Sequence, residues 1–93
     1  MVGWREGFKI YIHIGNGISV IESDIIMILD RKSLFLSQDN MDFINRLIDN
    51  KKVLNKIDDE IKSYILVKDQ RSKAIDLNLY VSNISSMSLM KRA

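Results

Sequence analysis

A chain of 93 residues, 46% hydrophobic and 28% charged, has an ordinary globular composition and the size of one small domain. The absence of cysteine excludes a disulfide framework and a thiolate metal site, and a formal charge of +2 is too slight to mark a nucleic-acid binder by bulk charge. No apolar run reaches the roughly 18–20 residues that span a bilayer.

Residues 1–8 are expected to be an N-terminal extension, with Trp4 as a bulky side chain in an unpatterned leader, and residues 9–93 a single domain. Phe8, Ile10, Ile12 and Ile14 share one parity, with Lys9, Tyr11 and His13 on the other. That alternation predicts a half-buried strand. It also differs from the apolar block of a signal peptide, so a cytoplasmic location is expected. Gly15-Asn16-Gly17 tolerates positive φ and predicts a tight reversal, after which residues 18–21 return as a second strand.

The continuous apolar run of residues 25–29, bounded by Asp24 and Asp30, predicts a strand covered on both faces, central in a sheet or under a partner subunit. A helix is predicted over residues 38–50. Ser37 can cap it, Asp39 and Asp42 suit its N-terminal end, and Lys51 and Lys52 follow its C-terminal end. Met41, Ile44, Leu47 and Ile48 supply its apolar stripe. Val53-Leu54 predicts a short strand and Asp58-Asp59-Glu60 an acidic loop. Residues 62–67 and 75–81 read as the last two strands, joined by a polar loop over residues 68–74. Ser85 or Ser86 can cap a final helical turn that ends at Lys91-Arg92. The predicted class is α+β: a small, mostly antiparallel sheet, one packed helix and a short C-terminal helical turn. Ile12, Ile14, Ile26, Ile28, Ile44, Leu47, Ile65 and Leu79 form the predicted core.

Catalytic signatures fail on inspection. His13 is the sole histidine, and an imidazole can serve as a general base near neutral pH. It has neither a nucleophile nor an orienting carboxylate at a recognisable spacing, and a structural role is expected. Asp58-Asp59-Glu60 lacks the spacing of an oxygen-ligand cation loop. Gly15-Asn16-Gly17 is too short for a phosphate-binding or dinucleotide fingerprint. No enzyme activity, metal or cofactor is expected.

The basic residues are unevenly placed. Lys62, Lys68, Arg71 and Lys73 stand against Asp69 alone across residues 62–73. The loop carrying Lys68, Arg71 and Lys73 would form a hairpin tip able to reach DNA. Lys51 and Lys52, with Lys56, make a second cluster, and Lys91-Arg92 a third. Lysines after a helix also complement its dipole, and charged hairpin tips are common solvated surface.

Two runs, Tyr11-Ile12-His13-Ile14-Gly15-Asn16-Gly17 and residues 82–92, bring a family into view. The first resembles the opening strand and glycine turn of the RemA and RemB extracellular-matrix regulators of bacteria. Asp24-Ile25-Ile26 and Ile28-Leu29-Asp30 resemble the third strand of RemB-like chains. Lys62-Ser63 with Ile65-Leu66-Val67 resembles a later strand. Ser82, Ser85-Ser86, Leu89 and Lys91-Arg92-Ala93 resemble the RemB-like ending. The similarity covers most of residues 9–93 and is thin over residues 31–56.

The resemblance implies a DNA-associated regulator of biofilm-matrix genes, a homo-oligomer whose subunits form a ring. RemA-like members hold DNA with exposed arginines. This chain has Asp24 where they carry an arginine before the third strand, and Asp59-Glu60 where they carry a pair before the later strand. Those changes replace attraction to phosphate with repulsion. The expected DNA contacts are therefore Lys68, Arg71 and Lys73, supported by Lys51 and Lys52, with Asp24, Asp59 and Glu60 outside the contact surface. The alternative implied is an oligomeric module that binds a protein partner and no DNA.

Overall fold

The computed structural model describes residues 9–69, 71 and 76–92. The chain runs β1 (Tyr11–Gly15), β2 (Ile18–Ile21), a 3-10 turn (Glu22–Asp24), β3 (Ile25–Asp30), α1 (Arg31–Leu34), α2 (Gln38–Asp49), β4 (Ser63–Lys68), β5 (Leu77–Ser82) and α3 (Ser86–Arg92). This is an α+β fold. Its strands divide into an antiparallel β1–β2 hairpin and an antiparallel sheet ordered β3-β4-β5. The N-terminal extension expected over residues 1–8 lies outside the described residues.

The hairpin reverses at Asn16 and Gly17, with φ of +54° and +75°. Positive φ at both central positions is what a two-residue type I′ turn requires. Gly15 has φ of +98°, a conformation that favours glycine, and a Cβ there would lie 2.6 Å from Asn83 Oδ1, the end of a side chain that would have to shift. The register shifts between His13 and Gly15, a bulge that leaves Ile14 without a cross-strand partner.

The alternation of β4 decides the layering. Ile65 and Val67 point to one face of the sheet and pack with Ile12, Ile14 and Val20 of the hairpin and Leu89 of α3. Leu66 points to the other and packs with Leu79, Ile44 of α2 and Leu34 of α1. The sheet is thus covered by hairpin and α3 on one face and by α2 on the other, a three-layer arrangement. Ser37 Oγ accepts from Asn40 N at 3.3 Å and caps α2 as expected.

Two buried serines fasten the layers. Ser82 Oγ donates to the Ile14 carbonyl (2.7 Å) and accepts from Ile84 N (3.0 Å). Ser63 Oγ donates to the Ile84 carbonyl at 2.7 Å. The peptide units on both sides of Ile84 are held in this way, which fixes where the C-terminal helix starts.

The apolar run of residues 25–29 is not central in its sheet, one of the two covers expected for it; cover by a partner subunit is the other. Among the described residues it is an edge strand, pairing with β4 alone. A register shift between Ile25 and Met27 marks a bulge at Ile26, and Ile26 and Met27 are about half exposed. Ile26 is therefore no core residue, and Ile28 and Leu47 are only half-buried. Ile12, Ile14, Ile44, Ile65 and Leu79 are buried as expected. On the opposite edge Val53 forms an isolated parallel bridge to Leu79. Beyond it the Asn55 side chain stands in for a strand, donating to the Val81 carbonyl and accepting from Val81 N at 2.8 Å each. No helix among the described residues is long and apolar enough to cross a membrane.

Candidate nucleic-acid interface

The hairpin of β4 and β5 ends in a loop whose base is closed by Asp69 N donating to the Asp76 carbonyl at 2.9 Å. Lys68, the last residue of β4, is exposed. Asp69 turns the chain locally: its Oδ1 accepts from Arg71 N at 3.0 Å and lies 3.4 Å from Arg71 Nε. The Arg71 side chain is 83% exposed. The backbone N–H of Arg71, and then its guanidinium, hold the Asp69 carboxyl below the usual aspartate range. Lys73 lies outside the described residues.

Lys51 and Lys52 follow α2 as predicted, but they part company there. Lys51 is exposed and adopts φ of +59° at the helix end, a conformation usually left to glycine or asparagine. Lys52 donates its backbone N–H to the Leu47 carbonyl. Its ammonium reaches across to Asp76 Oδ2 at 2.7 Å. That contact, with the Leu77 N–H second, depresses the Asp76 pKa.

Clusters read separately in the sequence therefore meet. Lys52, Lys68 and Arg71 gather at the base of one loop, where Asp69 and Asp76 answer two of the three cations. A cavity of about 400 Å³ adjoins the loop, lined among others by Tyr11, Asp24, Lys68, Arg71 and Tyr80. Asp24, expected to stay clear of this surface, lines the same cavity as Lys68 and Arg71, because the start of β3 pairs with the end of β4 through Ile25 and Val67. Asp59 and Glu60 lie elsewhere: Asp59 accepts from Asn83 Nδ2 at 3.1 Å and Glu60 pairs with Arg31 at 3.3 Å.

Lys62 does not belong with Lys68. The strand Ser63–Lys68 separates them by roughly 20 Å at a strand's rise per residue. Lys62 lies instead beside a second cavity of about 520 Å³, with Arg31, Lys32, Phe35, Asp30 and Glu60. Arg31 stacks 5.6 Å above the Phe35 ring centre. The sequence reading missed this basic cluster, whose only local signal is the Arg31-Lys32 pair; Lys62 is 30 positions away from Lys32. Of the Lys91-Arg92 ending, Arg92 serves the fold, donating a guanidinium N–H to the His13 carbonyl at 2.7 Å.

No protein-family model and no curated protein sequence matches the chain. His13 Nδ1 lies 3.4 Å from Ser19 Oγ. Among the described residues, no three His, Cys, Asp or Glu side chains converge as a metal site.

Proposed function

We propose that the protein is a RemB-like regulator of extracellular-matrix genes, a cytoplasmic homo-oligomer, ring-shaped, that meets duplex DNA through phosphate-directed contacts. The resemblance of residues 9–93 to that family motivates the reading. The observation that carries its DNA component is the meeting of Lys52, Lys68 and Arg71 at one loop base. One protomer offers little net charge there, and repetition of the patch around an oligomer would convert weak contacts into avidity. Such binding would weaken steeply with salt and vary little with sequence. It involves no catalysis.

The experiment is electrophoretic retardation of duplex DNA by the purified oligomer at low and moderate salt. The wild type should retard DNA at low salt. Arg71→Glu with Lys73→Glu should abolish retardation while leaving the oligomer mass unchanged. A wild-type oligomer that retards nothing at low salt overturns the DNA reading.

A second reading has its own support. Asp69, Asp76 and Asp24 lie at or beside the same loop base and offset its cations. Such a balanced surface suits a module that recruits a protein partner without touching DNA. Asp69→Asn with Asp76→Asn separates the two readings. It should strengthen retardation if the surface meets phosphate and change nothing if it does not.

A further inference from the structure

The cavity of about 520 Å³ beside Lys62 takes no part in the function proposed above. It opens where β3 leaves the sheet and β4 enters it, and the Arg31 N–H donates there to the Lys62 carbonyl at 3.0 Å. That backbone bond sets Arg31 and Lys32, at the start of α1, next to Lys62 in space. The volume falls within the range of small-molecule sites, roughly 300–1,000 Å³.

The surroundings are not basic as a whole. Arg31, Lys32 and Lys62 face Asp30 and Glu60 in the lining, and Asp58 and Asp59 precede Glu60 in the chain. What distinguishes the groups is which of them are engaged. Asp30 accepts from Lys32 N at 2.9 Å and from Ser86 Oγ at 3.3 Å. Glu60 accepts from the Arg31 guanidinium, which also lies over the Phe35 ring. Asp59 accepts from Asn83, and the Ser85 hydroxyl is bonded to Ser88 at the start of α3. The ammonium groups of Lys32 and Lys62 meet no carboxylate in ion-pair reach among the described residues. Both lysines are exposed, so two unengaged point charges border one cavity.

The rest of the lining is apolar. Phe35 is 60% exposed and Ile61 is half-buried. Free ammonium groups beside an exposed aromatic ring suit a ligand with an anion at one end and a flat ring at the other. Ammonium groups act as point charges and suit phosphate, whereas the planar fork that reads a carboxylate is already held by Glu60. A flat heterocyclic base stacks on a phenyl ring and covers it. Size separates a small ligand from a nucleic acid here. An extended polyanion across this face would meet Asp58, Asp59 and Glu60, while a ligand within the cavity can meet the lysines alone.

We propose that this cavity binds a purine nucleoside monophosphate, its phosphate between the ammonium groups of Lys32 and Lys62 and its base against Phe35 and Ile61. Arg31, held by Glu60, backs the Phe35 ring. The site is separate from the DNA surface, since Lys62 and Lys68 stand at opposite ends of β4.

Amide NMR titration of the full chain with adenosine monophosphate and guanosine monophosphate tests this, with adenosine and inorganic phosphate as part-ligands. A nucleotide should shift the amides of Lys32, Phe35 and Lys62 saturably, and each part-ligand should bind about tenfold more weakly or worse. Lys32→Gln with Lys62→Gln should weaken the nucleotide by about tenfold or more. Phe35→Ser should weaken it too, yet leave inorganic phosphate unchanged. Lys68→Gln with Arg71→Gln should keep wild-type affinity. The amide spectrum reports whether each variant folds, and the wild-type shift map decides alone where one does not. No saturable shift with either nucleotide overturns the proposal, as do shifts confined to Lys68 and Arg71. Inorganic phosphate or adenosine binding as tightly as the nucleotide overturns it as well. So does a single-stranded oligonucleotide that shifts the same amides at lower concentration, which would make the site a nucleic-acid surface.

Discussion

Replacing Ser82 with alanine should unfasten the hairpin from the sheet. Its side chain is fully buried, and its hydroxyl both donates to the Ile14 carbonyl at 2.7 Å and accepts from Ile84 N at 3.0 Å. The variant takes the hydroxyl from that buried carbonyl, at about 1–3 kcal/mol where the acceptor is left unmet. The Ile84 N–H is only partly buried and falls toward the low end of the same range. Together they amount to roughly 2–4 kcal/mol, or a fall in Tm of roughly 10–30 °C for a domain of this size. Urea unfolding at a fixed protein concentration measures it, since any assembly would couple stability to concentration. Ser19→Ala, at an exposed position on the hairpin, is the control and should stay within about 0.5 kcal/mol of wild type. Ser63→Ala removes the bond to the Ile84 carbonyl, so the two serine changes should couple non-additively. A Ser82→Ala chain as stable as the control would refute the view that this hydroxyl joins the layers.

Ile44→Ala, at a buried position of α2, should cost about 2–5 kcal/mol in the same assay, whereas Leu36→Ala, at 88% exposure in the turn before α2, should cost almost nothing; equal losses would show that Ile44 is not packed in the core. Gly15→Ala must hold alanine at φ of +98° with its Cβ against Asn83 Oδ1, and should destabilise by roughly 1–3 kcal/mol, read as a lower Tm. Asp76 titrates below the usual aspartate range because the Lys52 ammonium bonds its carboxylate. A depressed native pKa contributes stability above the unfolded value, and that contribution is lost as pH falls through the native one. Carbon-detected NMR titration should show the Asp76 midpoint rising in Lys52→Ala, and an unmoved midpoint would remove the ion pair as its cause.

The elements that the sequence determined are those whose signal is local. The reversal at Asn16-Gly17 follows from two residues that accept positive φ. The helix from Gln38 to Asp49 follows from a Ser37 cap and apolar spacing within a dozen residues. The alternation of β5 was legible for the same reason, because strand geometry fixes side-chain parity wherever the strand ends up. Strand order is different: it depends on contacts between distant positions. A continuous apolar run reads alike at the centre of a sheet and at its edge, so the exposure of Ile26 and Met27 was decided by the tertiary structure. The same holds for charge. Lys62 and Lys68 are six positions apart and stand at opposite ends of a strand, while Lys52 and Asp76, 24 positions apart, touch at 2.7 Å. Sequence could count the cations; only packing could say which of them meet a carboxylate, because Coulomb attraction acts over a few ångströms of space, whatever the separation along the chain.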